Sequence, residues 1–297
     1  MADIETLSEE IRTLDAASRV TRTPVGDGSM AWREWGKGDP LLLLHGSHGG
    51  WMHWLRNIPE LARTRRVIVP DMPGFGESDP PTDIDSPVEH ARALAEGLRR
   101  LDGLHGPIDV IAFSLGALMG CYLTLEKPDI VRRLIVVDAG GLGTPVITAD
   151  LRSLKGVKDD EAIRAANRHN LAAMMIHDPA TIDETAVDIS IFCGKRVRTR
   201  VQFQVIPDKM LAAVRRVRVP IDVIWGEHDY IHPGPELNAD AIRTAHPEAK
   251  LRVVARAGHW PMYEQPGGFN AAALDLLARP LRPRMSDASR ADGEQAA

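Results

Sequence analysis

Three side chains far apart in the chain have the types that nucleophilic attack on a carbonyl needs. Ser114 lies in Ala112-Phe113-Ser114-Leu115-Gly116, where an apolar run ends and a helical pattern begins without a gap. Small residues two before and two after a serine suit a tight strand-to-helix turn, because larger side chains there would strike the adjoining strand and helix. Such a turn lifts the hydroxyl clear of a sheet and sets it at a helix N-terminus, where backbone N–H groups favour developing negative charge. A serine hydroxyl attacks poorly until a base takes its proton. His259, in Ala257-Gly258-His259-Trp260, is the candidate base, and Asp229, in Trp225-Gly226-Glu227-His228-Asp229, is the candidate acid that orients it. Each stands just past a strand-like run. Glu227 and Asp138 are alternative acids, the latter because it follows the apolar run Leu134–Val137.

A fourth element is the glycine-rich stretch His45-Gly46-Ser47-His48-Gly49-Gly50 after Leu41–Leu44. A loop of this kind brings a backbone N–H to a substrate oxygen, so the amides of Ser47 and Leu115 are the expected oxyanion hole, with Gly46, His48, Phe113 and Trp260 bordering the substrate. The pairs His45/His48 and His228/His232 raise a metal site, but no third ligand follows at a usable spacing, and neither metal nor other cofactor is expected.

These residues need a scaffold that gathers strand ends. Short apolar runs at Leu41–Leu44, Val67–Val69, Ile108–Phe113, Leu134–Val137, Ile221–Trp225 and Leu251–Val254 read as strands covered on both faces, the mark of a parallel sheet. Helical patterns separate them: one opened by Ser86-Pro87-Val88-Glu89, one from Leu115 to Glu126, one over Phe269–Leu277. The alternation predicts an α/β fold with an open, mostly parallel sheet, and open sheets of this class place their sites at the C-terminal strand ends. The rhythm breaks over 143–206, where Asp159–Met175 and a capping box at Thr181-Ile182-Asp183-Glu184 predict a helical insertion. The expected organisation is an N-terminal arm over 1–22, a core over 23–142 and 207–279, the insertion over 143–206 and a disordered tail over 280–297.

Composition narrows the classes. The 297 residues carry 36 Lys and Arg against 41 Asp and Glu, a net charge of −5, which lacks the basic footprint of a nucleic-acid binder. The longest uncharged run, Val110–Leu125, falls short of the ~20 residues needed to span a bilayer. Met1 to Glu5 offers neither a basic nor an apolar leader region, so no signal peptide is expected. Two cysteines, Cys121 and Cys193, make no disulfide framework, and a reducing cytoplasm is the expected compartment. The expected partner is a small-molecule substrate, with a homodimer possible and no nucleic acid or membrane.

Taken together, the serine turn, the His-Gly loop, the segment Asp71-Met72-Pro73-Gly74-Phe75-Gly76-Glu77-Ser78 and Gly258-His259-Trp260 resemble the α/β-hydrolase family over roughly Leu41 to Leu277. The resemblance implies that the insertion is a helical cap and that Ser114, Asp229 and His259, in that chain order, form a catalytic triad. Serine at the nucleophile position departs from the epoxide hydrolases and haloalkane dehalogenases of the family, which use aspartate. Asp138-Ala139-Gly140-Gly141-Leu142-Gly143, His177-Asp178-Pro179 and Gly258-His259-Trp260 are further similar to the meta-cleavage product hydrolases, which cleave a C–C bond in vinylogous diketo acids. That subfamily commonly has asparagine before the nucleophile, where Phe113 stands here, and uses a cap arginine for the substrate's acidic end; Arg196, Arg198 and Arg200 lie nearby, but a basic run of this kind is usually a solvated face, and none is assigned that role. The resemblance thus implies C–C hydrolysis of a diketo acid, with carboxylester or lactone hydrolysis as the alternative, and a non-catalytic ligand-binding relative as the rival of another class. Trp51, Trp54 and Trp260 are expected to make the pocket apolar.

Overall fold

The computed structural model describes residues 4–281. Eight strands form one sheet: β1 Arg19–Val25, β2 Gly28–Trp35, β3 Asp39–Leu44, β4 Arg65–Pro70, β5 Ile108–Phe113, β6 Val131–Val137, β7 Ile221–Gly226 and β8 Leu251–Val254. Their order is β1-β2-β4-β3-β5-β6-β7-β8, antiparallel from β1 to β4 and parallel from there to β8. The six apolar runs are β3 to β8. β1 and β2 are additions, a hairpin turning at Gly26 and Asp27: β1 is largely exposed, and β2 is buried from Met30 to Trp35 but interrupted by Arg33 and Glu34, so neither has a long apolar run.

Around the sheet lie α1 Glu9–Ala16, α2 Ile58–Leu61, α3 Pro87–Arg99, α4 Leu115–Glu126, α5 Asp160–Asn170, α6 Glu184–Gly194, α7 Lys209–Val214, α8 Pro235–Arg243, α9 Pro261–Glu264 and α10 Pro266–Ala278. The strands feed two cores by alternation, as a period of two requires. Leu42, Leu44, Val110, Ala112, Leu134 and Val136 pack with residues of α3, α4 and α7. Leu41, Leu43, Ile111, Phe113, Ile135 and Val137 pack on the other face with α2 and α10, and this second core continues into α6 through Val187, Ile189 and Phe192. Among the described residues no helix is long and apolar enough to cross a membrane.

The expected boundary at 22 falls inside β1, and Ile11 of α1 is fully buried in the second core, so the residues up to 22 are not set apart from the sheet. The tail expected over 280–297 lies, from 282 onward, outside the described residues. Residues 143–206 join β6 to β7 and contain no strand; their first part, to Lys158, has no regular helix. Asp159 caps α5 through the Ala162 N–H, and the helix runs on into a π turn at Leu171–Met175. The capping box expected at Thr181 is displaced: Asp183 caps α6 by accepting from Ala186 N, while Thr181 Oγ1 donates to the Asp178 carbonyl and closes a short turn of its own.

Candidate active site

Ser114 connects β5 directly to α4 with φ 52° and ψ −119°, a backbone state costly for a side chain and typical of functional turns. The close approach that makes this turn is at Gly116: a Cβ there would lie 2.6 Å from the carbonyl oxygens of Leu44 and His45. Leu115 follows as the first residue of α4, where an N–H has no carbonyl of its own helix to meet. Ser47 and Leu115, the expected oxyanion donors, both border the cavity at Ser114.

The three predicted side chains converge at the C-terminal edge of the sheet. His259 Nε2 lies 3.3 Å from Ser114 Oγ, and His259 Nδ1 lies 2.8 Å from Asp229 Oδ2. Asp229 Oδ1 accepts from the amides of Ile231 and His232, which fixes the carboxylate plane. Burial works to raise the Asp229 carboxyl, but the His259 ring, its hydrogen bond and His232 outweigh it and hold it below the usual carboxylate range. Glu227, the alternative acid, is half-exposed and accepts from the Arg256 amide instead. Asp138, the other alternative, is sealed behind Asp229 and accepts from Gly226 N at 2.9 Å; burial, then the Asp229 charge, holds its carboxyl well above the ordinary range.

The loop that carries His259 is fastened to the insertion. Glu264, at the end of α9, accepts from Gly258 N (2.7 Å) and His177 N (3.0 Å) with Oε2 and from Asp178 N (2.7 Å) with Oε1. Trp260 N donates to the Met175 carbonyl, and a Cβ at Gly258 would lie 2.7 Å from His177 N.

Above Ser114 is a cavity of about 720 Å³, walled by Ser47, His48, Phe113, Leu115 and Trp260 below and by residues of the insertion above. Two expectations are corrected here, and the basic run is placed. Gly46 does not border the cavity: it packs under Phe113 and Ser114, where a Cβ would strike the Phe113 ring at 2.8 Å, and it has no side chain to present. Trp51 and Trp54 are buried elsewhere, Trp51 against Trp35 and Arg33 and Trp54 against Phe269, which leaves Trp260 as the tryptophan of the cavity wall. None of Arg196, Arg198 and Arg200 lines it; they bond the Phe192 carbonyl, the Ser78 carbonyl and Asp85 respectively. The cationic side chain in the lining is Lys195.

The neutral polar groups in the roof are ones that sequence patterns do not reveal. Asn167 of α5 accepts from Ser190 Oγ of α6 at 2.7 Å, and Gln202, also in the lining, has a buried Oε1 that meets no donor. His232 also lines the cavity, its ring centre 5.3 Å from that of His259; burial and His259, opposed by Asp229, push it down to about 4. His45 is structural: Nδ1 meets the Gly46 carbonyl and Nε2 accepts from Met72 N, so neither ring nitrogen is left for a metal. His228 stacks on His177 at 3.9 Å, apart from His232. Among the described residues the possible ligand trio is Asp138, Asp229 and His259, with atoms within 4.8 Å of one another, but Asp229 and His259 already turn their facing atoms to each other.

A serine turn after β5, a carboxylate after β7 and an imidazole after β8, all at one edge of this sheet, define a class. The sequence profile of the alpha/beta hydrolase family matches residues 41–272, and the chain belongs to that family. Its curated relatives include the 2-hydroxymuconate semialdehyde hydrolase of a Pseudomonas sp., 29% identical over 261 residues, covering 82% of this chain and 88% of the relative. The 2-hydroxy-6-oxo-2,4-heptadienoate hydrolase of Pseudomonas putida is 28% identical over 262 residues, covering 82% and 90%. Among solved structures, an esterase from Rhodococcus sp. superposes with a TM-score of 0.72 at 20% identity, over 88% of this chain and 98% of that one. The chain is therefore a hydrolase of this family.

Proposed function

We propose that this hydrolase is serine-dependent and acts on the carbonyl of a small, largely apolar substrate. The observation that carries the proposal is the unbroken line Asp229–His259–Ser114 opening into the cavity beneath the insertion. Ser114 Oγ attacks the carbonyl carbon while His259 Nε2 takes its proton; Asp229 holds the Nδ1–H and stabilises the imidazolium. The oxyanion lies against the Ser47 and Leu115 amides. His259 then returns the proton to the leaving group, and water hydrolyses the acyl-enzyme by the same relay. In this scheme residues 143–206 act as a cap that excludes water and shapes specificity.

The bond cleaved is, in the first reading, carbon–carbon. Relatives named for 2-hydroxy-6-oxo dienoates and muconate semialdehydes support it, and Lys195 in the roof supplies a positive partner for a substrate carboxylate. A carbanion leaves poorly, so the dienol must first become the keto form: His259 takes the enol O–H proton and passes it to carbon, and is neutral again when Ser114 attacks the distal ketone; it then takes the serine proton and returns it to the departing carbon as the C–C bond breaks. A specific observation favours carboxylester hydrolysis as the second reading: among the described residues no arginine lines the cavity, and the Asn167–Ser190 pair in its roof is uncharged. Steady-state kinetics with a 2-hydroxy-6-oxo dienoate and with p-nitrophenyl esters, run beside Ser114→Ala, decide between them. C–C cleavage is expected at a kcat/KM above about 10⁴ M⁻¹s⁻¹. If the dienoate persists while esters reach that value, the ester reading replaces it; if Ser114→Ala is as active as the parent, serine chemistry is wrong.

A further inference from the structure

Asp138 has no part in the relay, yet it sits against it. It follows β6 with φ 41°, is shut off from solvent, and donates its own N–H to the Ile224 carbonyl. Its Oδ1 accepts from Gly226 N, whereas no N–H or O–H donor reaches the buried Oδ2. The Asp229 carboxylate is the charged group beside this carboxyl: ligand atoms of Asp138, Asp229 and His259 all lie within 4.8 Å of one another. The titratable groups facing this corner are Asp229 and His232 from the loop after β7 and His259 from the loop after β8. Two carboxylates at this range repel unless one of them carries a proton. Asp229 is already occupied as an acceptor, from two backbone amides and from His259.

We propose that Asp138 is a positioning residue: it stays a neutral carboxylic acid and donates its hydroxyl proton to the Asp229 carboxylate, holding Asp229 Oδ2 on His259. Burial and the neighbouring charge both act in the direction that keeps such a proton in place. The uncharged state also spares this buried corner the repulsion and desolvation cost of a second anion beside Asp229. The role rests on the triad reading given under Proposed function; the position of the proton does not.

Asp138→Asn and Asp138→Gly, with Ser114→Ala as control, test it, using p-nitrophenyl acetate as the probe. Asparagine and glycine both tolerate the left-handed backbone at this position. The asparagine amide reproduces the arrangement, accepting from Gly226 and donating to Asp229, so kcat is expected within about threefold of the parent, with the acid limb of kcat/KM unmoved. The glycine variant removes the donor, and kcat is expected to fall about 10- to 100-fold with KM little changed, the scale of a lost hydrogen bond to a charged group. Infrared difference spectra of parent minus Asp138→Asn at pH 7 should show a protonated-carboxyl C=O band that shifts in D₂O, a readout that needs neither turnover nor the glycine variant to fold. Absence of that band overturns the proposal. A shift of the acid limb to lower pH in Asp138→Asn does the same, because it means that a charge was removed. Full activity in a folded Asp138→Gly also overturns it. If Ser114→Ala keeps parental activity, the triad reading fails and the positioning role with it, while the infrared band still reports where the proton sits.

Discussion

Ser114 and its surroundings work at close tolerances. Removing the nucleophile in Ser114→Ala is expected to lower kcat by about 10³-fold or more with the melting temperature unchanged, since groups acting as one unit lose most of their effect when one is removed. Gly116 sets the same turn from the backbone side. Gly116→Ala drives a methyl to 2.6 Å from the carbonyl oxygens of Leu44 and His45, so a loss of about 1–3 kcal/mol in stability and a marked fall in kcat are expected, measured by thermal melts and ester turnover. Lys195 separates the two substrate readings at this scale. For an anionic dienoate, Lys195→Met should raise KM about tenfold while leaving a neutral ester unaffected, the value of one charge-assisted contact. Equal effects on both substrates would remove Lys195 from carboxylate recognition.

Elements decide which of these residues meet. The parallel strands are legible in the sequence because burial on both faces writes continuous apolar runs, and Ser114, Asp229 and His259 are legible because each follows such a run by a residue or a few. β1 and β2 are not, since β1 is mostly polar and exposed and β2 buries Arg33 and Glu34 in ion pairs that break its apolar pattern; the Gly26-Asp27-Gly28 turn between Val25 and Met30 is the local trace of the hairpin. The roof is less legible still. Asn167, Ser190, Lys195 and Gln202 come from α5, α6 and the segment after it, and they share a cavity only through packing that no short pattern records. Trp51 and Trp54 fail as pocket residues for the same reason: an aromatic type does not say which side of a loop it buries. Glu264 joins two elements, and its three N–H bonds link the histidine loop to Met175–Asp178. Glu264→Gln replaces a charged acceptor with a neutral one that keeps a single carbonyl oxygen, so a loss of about 1.5–3 kcal/mol is expected, accompanied by lower kcat because His259 is less firmly held. An unchanged melting temperature and unchanged turnover would show that the loop holds its place without Glu264.

For the molecule as a whole, acid is the weak side. His45, His53 and His232 are all buried with their proton affinities lowered, burial first in each case, and His232 down to about 4. The unfolded chain therefore binds more protons than the native one between about pH 4 and pH 6.5, so stability rises with pH across that window and is lost as pH falls through it. His232 alone contributes on the order of 3 kcal/mol to this slope. Asp138 opposes it, because the native state keeps a proton that the unfolded state gives up, but it is one group against these histidines and against His48, His90 and His246, whose proton affinities burial also lowers. The melting temperature is expected to drop steadily from pH 7 to pH 4.5, and His232→Gln should flatten part of the drop; a flat profile in the parent would contradict this. Glu264 also decides where recombination can cut this chain. Residues 143–206 have the look of an exchangeable cassette, bounded by two strands of the conserved sheet order. A crossover at its ends, however, discards the His177 and Asp178 amides and the Met175 carbonyl, leaving the buried Glu264 carboxylate with Gly258 N in place of three donors and the histidine loop without its brace. Productive chimeras should carry their downstream breakpoint before Met175, so that new specificity is inherited through the first half of the cassette while the second half stays with the parent sheet.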